Sequence, residues 1–367
     1  MSKRITIIIL TICLAASMAA SCSSGGTLPA VHEVLPGEVS PVKTPQAEIL
    51  TNEPPQEDFP TDEPPQIELL TDEPLQVELP SDEPPQIELP SDKPPQEDLT
   101  SGEFITIRGE RYSIDLTELW ISDSLTDEDI ALLRFMVNLK SLTIYTENTC
   151  SDLSPLAELT ELNELLLSSS QDIDLSPLTG LTKLNYLIIS SDELSDLSPL
   201  GNLTSLTGLE LYGDKLEDLT PLARLAQLSY LHLSGRQISD LSPLAKMTGL
   251  GALDMFVPNN SGLTPLSGLT NLKYLSMVDC QISDLTPLRN LTNLTTLKVS
   301  YNNFSDLSPL SCLVNLQQLH LGANPISDLS PLAGLTKLET IILDPEQAAE
   351  ITDWSPVAHV PYVHSRP

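Results

Sequence analysis

The chain has 367 residues and a formal net charge of −33 at pH 7, and only 4% of its residues are aromatic. Residues 51–100 hold 15 acidic residues and one lysine, and residues 101–367 hold 33 acidic and 14 basic residues, so both regions are acidic. A surface this negative repels nucleic acid and anionic lipid headgroups, so we expect no nucleic-acid partner. The charge either attracts a basic partner or a cation, or serves solubility alone.

Residues 1–22 have the pattern of a targeting segment. Lys3 and Arg4 precede an apolar run from Ile5 to Ala16, which is too short to span a bilayer comfortably. The segment ends in AASC at Cys22 and resembles the lipobox of bacterial lipoproteins, although Ala19 stands where that family prefers leucine. The resemblance implies a lipid on Cys22 and a secreted protein anchored on the extracellular face of a bacterial cell. An ordinary secretory signal is the alternative.

Residues 23–102 are predicted to form a disordered, acidic, proline-rich stalk. Within them, residues 51–100 repeat every ten positions, from TNEPPQEDFP to SDKPPQEDLT, and include 12 prolines. Proline and charge repulsion favour extended polyproline II, which at about 3.1 Å per residue reaches roughly 150 Å over fifty residues. Two interpretations remain, a spacer that lifts the folded part off the membrane and a proline-rich ligand for another module.

Residues 103–140 are predicted to hold an N-terminal cap and the first repeat. FITIRGERY indicates a short strand and turn, and LTELWISDS indicates a repeat strand. The segment SLTDEDIALLRFM indicates a helix, capped by Ser124 or Thr126, with acidic residues at its positive N-terminal end.

A proline then returns every 22 positions, within copies of DLSPL that are followed by LTxLxxLxL. The series is Pro155, Pro177, Pro199, Pro221, Pro243, Pro265, Pro287, Pro309 and Pro331. A strict period of this length predicts a solenoid in which each unit buries its apolar edge against its neighbours. Such a fold offers an extended surface for binding.

The repeat from Leu316 illustrates the expected unit. Leu319 and Leu321 point inward from a short strand, and His320 points outward. Asn324 ends the strand, where its amide can satisfy buried backbone groups between coils. Ser330 and Pro331 start an outer turn, which is predicted to be 3₁₀-like because little helix fits into 22 residues.

This pattern resembles the 22-residue leucine-rich repeats of bacterial internalins and related surface proteins, over about residues 116–344. The resemblance implies an α/β solenoid with a concave parallel sheet and convex 3₁₀ or short helical turns, and a family that mostly binds proteins or glycans. We expect repeats over 141–344. Residues 345–367 are expected to form a C-terminal cap, in which Trp354 to Val357 repeat the outer turn.

Strand alternation places three outward rows of side chains on the concave sheet. Aromatic residues are scarce, yet five fall one per coil on these rows. We predict a ligand platform made of Tyr186, Glu210, Tyr212, Tyr230, His232, Asp254, Phe256 and Tyr274. The alternative is cross-strand packing that steadies the sheet.

Three further features carry open interpretations. A stripe of aspartates, such as Asp240 and Asp284, recurs once per repeat, and these residues either bind calcium or accept hydrogen bonds from their own turns. The coil at 256–262 departs from the repeat pattern. This departure either serves a binding role or reflects sequence drift. The strand-end ladder is degraded, and Asp214 and Arg236 could pair in exposed positions.

The sequence contains no catalytic constellation and no metal-ligand spacing. Its histidines are dispersed, and Cys150, Cys280 and Cys312 are expected to be small buried thiols. We therefore predict a non-enzymatic, cofactor-free protein of undetermined oligomeric state that captures a protein or glycan ligand through its concave face. An intracellular regulatory scaffold and a cell-wall-active enzyme are the alternatives.

Overall fold

The computed structural model describes residues 102–146, 150, 152–260 and 262–366. The predicted signal peptide, Cys22 and the stalk repeats at 51–100 lie outside these residues. Within the described residues, no helix has the length and apolar character needed to cross a membrane.

Twelve strands of the described region form one parallel sheet, in which each strand pairs with the next along the chain. The strands are β1 Phe104–Ile107, β2 Glu110–Ser113, β3 Glu118–Ser124, β4 Ser141–Thr146, β5 Glu164–Ser169, β6 Tyr186–Ser190, β7 Gly208–Tyr212, β8 Tyr230–Ser234, β9 Ala252–Phe256, β10 Tyr274–Met277, β11 Thr296–Lys298, β12 Gln318–His320, β13 Thr340–Ile342 and β14 Tyr362–His364. The sheet comprises β3 to β14, while β1 and β2 form a separate antiparallel pair. The predicted solenoid is therefore confirmed.

The strand and turn predicted from FITIRGERY prove to be the complete hairpin of β1 and β2. Arg108 and Gly109 connect its strands with φ values of 53° and 85°. Two successive positive φ values match the right-handed twist of the flanking strands and close a tight hairpin.

The predicted N-terminal helix is present as α1, Asp127–Leu133. Of the two candidate caps, Thr126 is the one used, and it forms a reciprocal capping box with Asp129. The inward residues Ile130 and Leu133 are fully buried. That this segment acts as a cap for the repeats remains a prediction.

The outer wall of the repeats consists of 3₁₀ turns, as predicted. They span Ser154–Glu158, Ser176–Gly180, Ser198–Asn202, Thr220–Arg224, Ser242–Lys246, Thr264–Gly268, Thr286–Asn290, Ser308–Cys312, Ser330–Leu332 and Ser355–Val357. Each carries a proline in its first two positions, where the missing N–H leaves no hydrogen bond unmade.

Leucines fill the space between the sheet and the outer wall. Leu319, Leu329, Leu332, Leu335 and Leu338 are all at most 2% exposed. The core is one continuous cluster that runs from the β1 hairpin to Val360. Because each coil covers the core of the next, the repeats stabilise one another as a stack.

Residues 345–366 add a last strand to the sheet. Helix α2, Pro345–Glu350, follows β13 and is capped by Asp344, whose side chain accepts the N–H of Gln347. The predicted last outer turn follows, and β14 then pairs with β13.

The stripe aspartates accept hydrogen bonds within their own turns. In each of eight repeats, the carboxylate lies 2.8 Å from the N–H of the residue two positions on, as in Asp240 to Ser242 and Asp284 to Thr286. The turn interpretation is thereby confirmed. Over the described ranges, no group of three His, Cys, Asp or Glu side chains is arranged to hold a metal ion.

The aspartate hydrogen bonds of these turns lead us to expect that the folded state becomes less stable in acid. Hydrogen bonds from the backbone and hydroxyl groups of the following Ser or Thr hold the pKa of Asp174, Asp218, Asp240, Asp284 and Asp328 below the ordinary 3.8. A depressed folded-state pKa stabilises the fold above the unfolded pKa, and this contribution is lost as pH falls through the folded value. We expect the urea concentration at the unfolding midpoint to decrease as the pH is lowered below about 4. The Asp218→Asn/Asp240→Asn variant should show a shallower drop, and an unchanged midpoint down to pH 2.5 would contradict the prediction.

The strand-end ladder changes character along the chain. Asn302 accepts the N–H groups of Cys280 and Ile282 and donates to the carbonyls of Met277 and Val299. Asn324 donates to the Val299 and Leu321 carbonyls, which confirms its predicted role.

In the coils nearer the N-terminus, backbone N–H groups form the hydrogen bonds between coils that asparagine side chains form further along the chain. Gly213 donates to the Ser234 carbonyl, and Gly235 donates to the Phe256 carbonyl. Asp214 and Arg236 pair at 3.4 Å while remaining 60% and 61% exposed, as predicted.

Two of the three described cysteines match their prediction. Cys150 and Cys280 are buried, and burial is the main cause that raises the pKa of the Cys280 thiol to about 11. Cys280 takes a ladder position, with its sulfur 3.4 Å from the Val257 N–H nitrogen. Cys312 is exposed, so its predicted burial is wrong. It ends an outer 3₁₀ turn, at a position that faces away from the core.

Candidate functional site

The open sheet face comprises the side chains of β3 to β14 that point away from the leucine core. Strand register arranges them in three rows, as predicted. The first row includes Glu164, Tyr186, Gly208, Tyr230, Ala252, Tyr274, Thr296 and Gln318. The middle row includes Leu166, Ile188, Glu210, His232, Asp254, Ser276, Lys298 and His320, and the third row includes Ser168, Ser190, Tyr212, Ser234 and Phe256.

Six of the eight predicted platform residues are partly exposed on this face. They are Tyr212, Tyr230, His232, Asp254, Phe256 and Tyr274. The other two are buried, because Tyr186 is 9% exposed and Glu210 is 1% exposed. The expectation that all eight side chains are accessible is therefore wrong for Tyr186 and Glu210.

Gly208 is the reason that Tyr186 is buried. A Cβ atom at Gly208 would lie 2.3 Å from Cδ2 of Tyr186, so the ring occupies the space that a side chain would fill. The Tyr186 ring is also stacked with that of Tyr230, at 6.4 Å between centroids. Strand alternation predicts which way a residue points, but the size of its neighbours decides whether it stays accessible.

Glu210 is held by two tyrosines. The hydroxyl of Tyr186 donates to one carboxylate oxygen, and the hydroxyl of Tyr212 donates to the other at 2.7 Å. A buried carboxylate is costly without such partners. Tyr186 and Glu210 are thus buried residues that hold the partly exposed Tyr212 in place through hydrogen bonds.

The centre of the platform is a histidine–aspartate pair. His232 Nδ1 lies 3.3 Å from Asp254 Oδ2, and the imidazole stacks on Tyr212 with 4.5 Å between ring centroids. Burial acts to raise the pKa of Asp254, but His232, the Ser276 hydroxyl and Lys298 together outweigh it and hold that pKa below its usual value. Asp254 is therefore a carboxylate at neutral pH, and its side chain is 31% exposed.

A cation lies next to the platform on the C-terminal side. Lys298 Nζ sits 5.3 Å from the centroid of the Tyr274 ring, which is a cation–π distance. Burial and the Lys298 charge both lower the pKa of His320, its neighbour in the middle row. His320 is consequently neutral at pH 7.

Sequence reasoning missed Trp120. This side chain is 68% exposed and belongs to the middle row, where it pairs in register with Thr143. The signal was present in the predicted strand LTELWISDS, because alternation places Trp120 on the face opposite to Leu119 and Ile121, which are both buried.

The irregular coil at 256–262 is organised by asparagines. Asn260 donates to the carbonyls of Val257 and Cys280, and its own carbonyl oxygen accepts the N–H of Gly262. Gly262 has a φ of 116°, which explains why glycine replaces the usual aspartate. Asn260 thus replaces the missing isoleucine and aspartate with local hydrogen bonds.

The packing of Tyr186 on Gly208 gives a testable stability prediction. In Gly208→Ala the new methyl displaces the ring and breaks the Tyr186–Glu210 hydrogen bond, so we expect a loss of about 1–3 kcal/mol in unfolding free energy. Gly180→Ala is the matched control, because nothing lies within 4 Å of a Cβ at that position. Equal urea midpoints for the two variants would contradict this packing.

Comparisons with known proteins agree with this architecture. The family model described as Leucine Rich repeats (2 copies) matches residues 270–312. The crystal structure of an internalin (inlF) from Listeria monocytogenes is 26% identical, covers 70% of this chain and 89% of its own, and superposes with a TM-score of 0.55. The chain is an internalin-like leucine-rich-repeat protein.

The structure of internalin C2 (inlC2) from the same species is 34% identical and covers 61% of this internalin-like chain and 86% of its own, with a TM-score of 0.41. No curated protein matches the chain significantly. The internalin-like fold indicates a function in protein binding or adhesion.

Proposed function

We propose that this protein is a surface-anchored bacterial binding protein that captures a protein or glycan ligand on the predicted concave face. The run of partly exposed aromatic side chains on neighbouring coils supports the proposal. Tyr212, Tyr230, Phe256 and Tyr274 lie on four successive strands, in a chain that is only 4% aromatic. Aromatic side chains supply a large contact area at low entropic cost, and they dominate the energetics of many interfaces.

The geometry of these residues favours binding over sheet packing alone. Interior packing would bury the rings, as it buries Tyr186, but the other four keep part of their surface accessible. Asp254 and His232 add a charged and a polar group between the rings. Apolar area with a few fixed polar groups is typical of ligand sites.

The proposal includes the lipid anchor and the spacer. Cys22 would carry the lipid, and residues 23–102 would hold the repeats away from the membrane. The non-enzymatic role is part of the same proposal, since binding by contact needs no catalytic group.

Two changes outside the repeats test the anchoring. Cys22→Ala should move the protein from the membrane fraction to the soluble fraction, because the lipid attachment atom is gone. Deletion of residues 51–100 should leave ligand affinity unchanged but reduce antibody access to the repeats on intact cells. The measurements are membrane fractionation and surface labelling. Membrane retention of Cys22→Ala would argue against lipidation, and lost affinity after the deletion would argue against a spacer.

A further inference from the structure

Ala252 lies between two tyrosines on the open sheet face. It is in register with Tyr230 on one side and with Tyr274 on the other. Adjacent strands are about 4.8 Å apart, so the two tyrosine backbones lie roughly 10 Å from each other. All three residues are partly exposed. We call Tyr230, Ala252 and Tyr274 the tyrosine slot.

A second tyrosine pair shows what closes such a slot. Tyr186 and Tyr230 flank Gly208 in the same register, but Gly208 is buried and the Tyr186 ring fills the gap. That arrangement requires a glycine, because a Cβ atom there would lie 2.3 Å from the ring. Ala252 has this Cβ, so the equivalent collapse is blocked. Ala252 accordingly remains partly exposed, whereas Gly208 is buried.

Asp254 places a negative charge at one end of the tyrosine slot. Asp254 is two residues beyond Ala252 on β9, so its side chain projects from the same face. Its carboxylate contacts His232 Nδ1 at 3.3 Å and stays 31% exposed. Residues 101–367 add a long-range field, because they hold 33 acidic and 14 basic residues. This field attracts basic molecules and repels acidic ones.

Tyr274 already interacts with a cation on one side. Lys298, which follows it in register one strand later, places its ammonium 5.3 Å from the ring centroid. Ala252 lies one strand earlier, on the side of Tyr274 opposite to the strand of Lys298. An aromatic ring attracts cations at its faces, so a second cation can approach Tyr274 from that side.

We propose that the tyrosine slot receives a lysine or arginine side chain of a basic protein partner, whose cation reaches Asp254. The alkyl stem packs over Ala252 between the two rings, while the charged end pairs with the carboxylate. This assignment rests on the proposed function and names the chemistry of the ligand group. It also accounts for an acidic domain that keeps one partly exposed carboxylate among aromatic rings.

The test is an NMR titration of the full chain labelled at alanine methyl groups, with the Ala252 signal assigned from Ala252→Gly. The probes are acetyl-arginine amide and acetyl-citrulline amide, which have nearly the same shape but differ in charge. We expect arginine, and not citrulline, to shift the Ala252 methyl in a saturable way. Asp254→Asn and Tyr274→Ala should each weaken arginine binding about two- to fivefold. Asp214→Asn, which removes an equal charge outside the slot, should leave it unchanged.

Three results would overturn the proposal. The first is no shift at Ala252, and the second is an equal shift with citrulline, which would assign the slot to a neutral group. The third is an equal loss of binding in Asp214→Asn, which would reduce the effect to overall charge. Each is distinguishable from a failure of the proposed function, because that function is tested separately, by capture of a macromolecular ligand with the Tyr230→Ala/Phe256→Ala variant.

Discussion

Replacing Tyr230 and Phe256 together by alanine is expected to abolish most ligand capture while leaving the fold intact. The two side chains lie on the neighbouring strands β8 and β9 and are both partly exposed. Central aromatic anchors typically contribute at least 2 kcal/mol each, so the affinity should fall by a factor of about 30 for each ring and by about a thousandfold for both if the two effects add. Because neither ring belongs to the leucine core, the melting temperature should change little.

The measurement is capture of wall polysaccharide and of host extracellular proteins by the immobilised protein, together with thermal unfolding. Tyr301→Ala is the matched control, since Tyr301 is 65% exposed and follows β11 outside the three rows. Unchanged capture by the Tyr230 and Phe256 variant would place the ligand site elsewhere. A large drop in its melting temperature would instead favour the cross-strand packing role.

Replacing Asn302 by alanine is expected to destabilise the repeats more than any exposed polar substitution. The side chain makes hydrogen bonds of 2.8–3.1 Å with five backbone groups of two adjacent coils. Alanine leaves these donors and acceptors without partners between coils, at a cost of about 2–3 kcal/mol.

Asn293→Ala is the matched control for this variant. Asn293 is exposed and donates a single hydrogen bond of 2.8 Å to the Thr270 carbonyl, so its loss should cost about 1 kcal/mol or less. Urea unfolding of both variants compares the two costs. Similar midpoints would mean that water replaces the Asn302 amide easily, and that the ladder contributes little to stability.

The repeat period allowed most of the fold to be predicted. Leu319 and Leu321 were predicted to point inward and both are buried, because a stack of similar coils repeats one packing solution. The outer 3₁₀ turns followed from the Ser-Pro pair for a similar reason. Proline at a first helical position and an aspartate two residues before the turn's first N–H are local features, readable without knowledge of distant contacts.

The candidate site was predicted less completely. Alternation gave the correct rows, yet it could not show that Tyr186 lies over Gly208 or that Glu210 becomes buried between Tyr186 and Tyr212. Both facts depend on the shapes of side chains from neighbouring coils, 22 or more residues apart in the chain. Strand alternation does predict the outward orientation of Trp120, because it lies between the buried Leu119 and Ile121.

The sequence by itself determined the stack, the inward leucines, the outer turns and the order of side chains along the open sheet face. It could do so because these features depend on periodicity and on interactions within a few residues of the chain. Only the tertiary structure decided which outward residues remain accessible. Accessibility depends on the volume of the residue in the adjacent coil. Gly208 leaves room for the Tyr186 ring to pack down and become buried, whereas the Cβ of Ala252 prevents the same packing between Tyr230 and Tyr274.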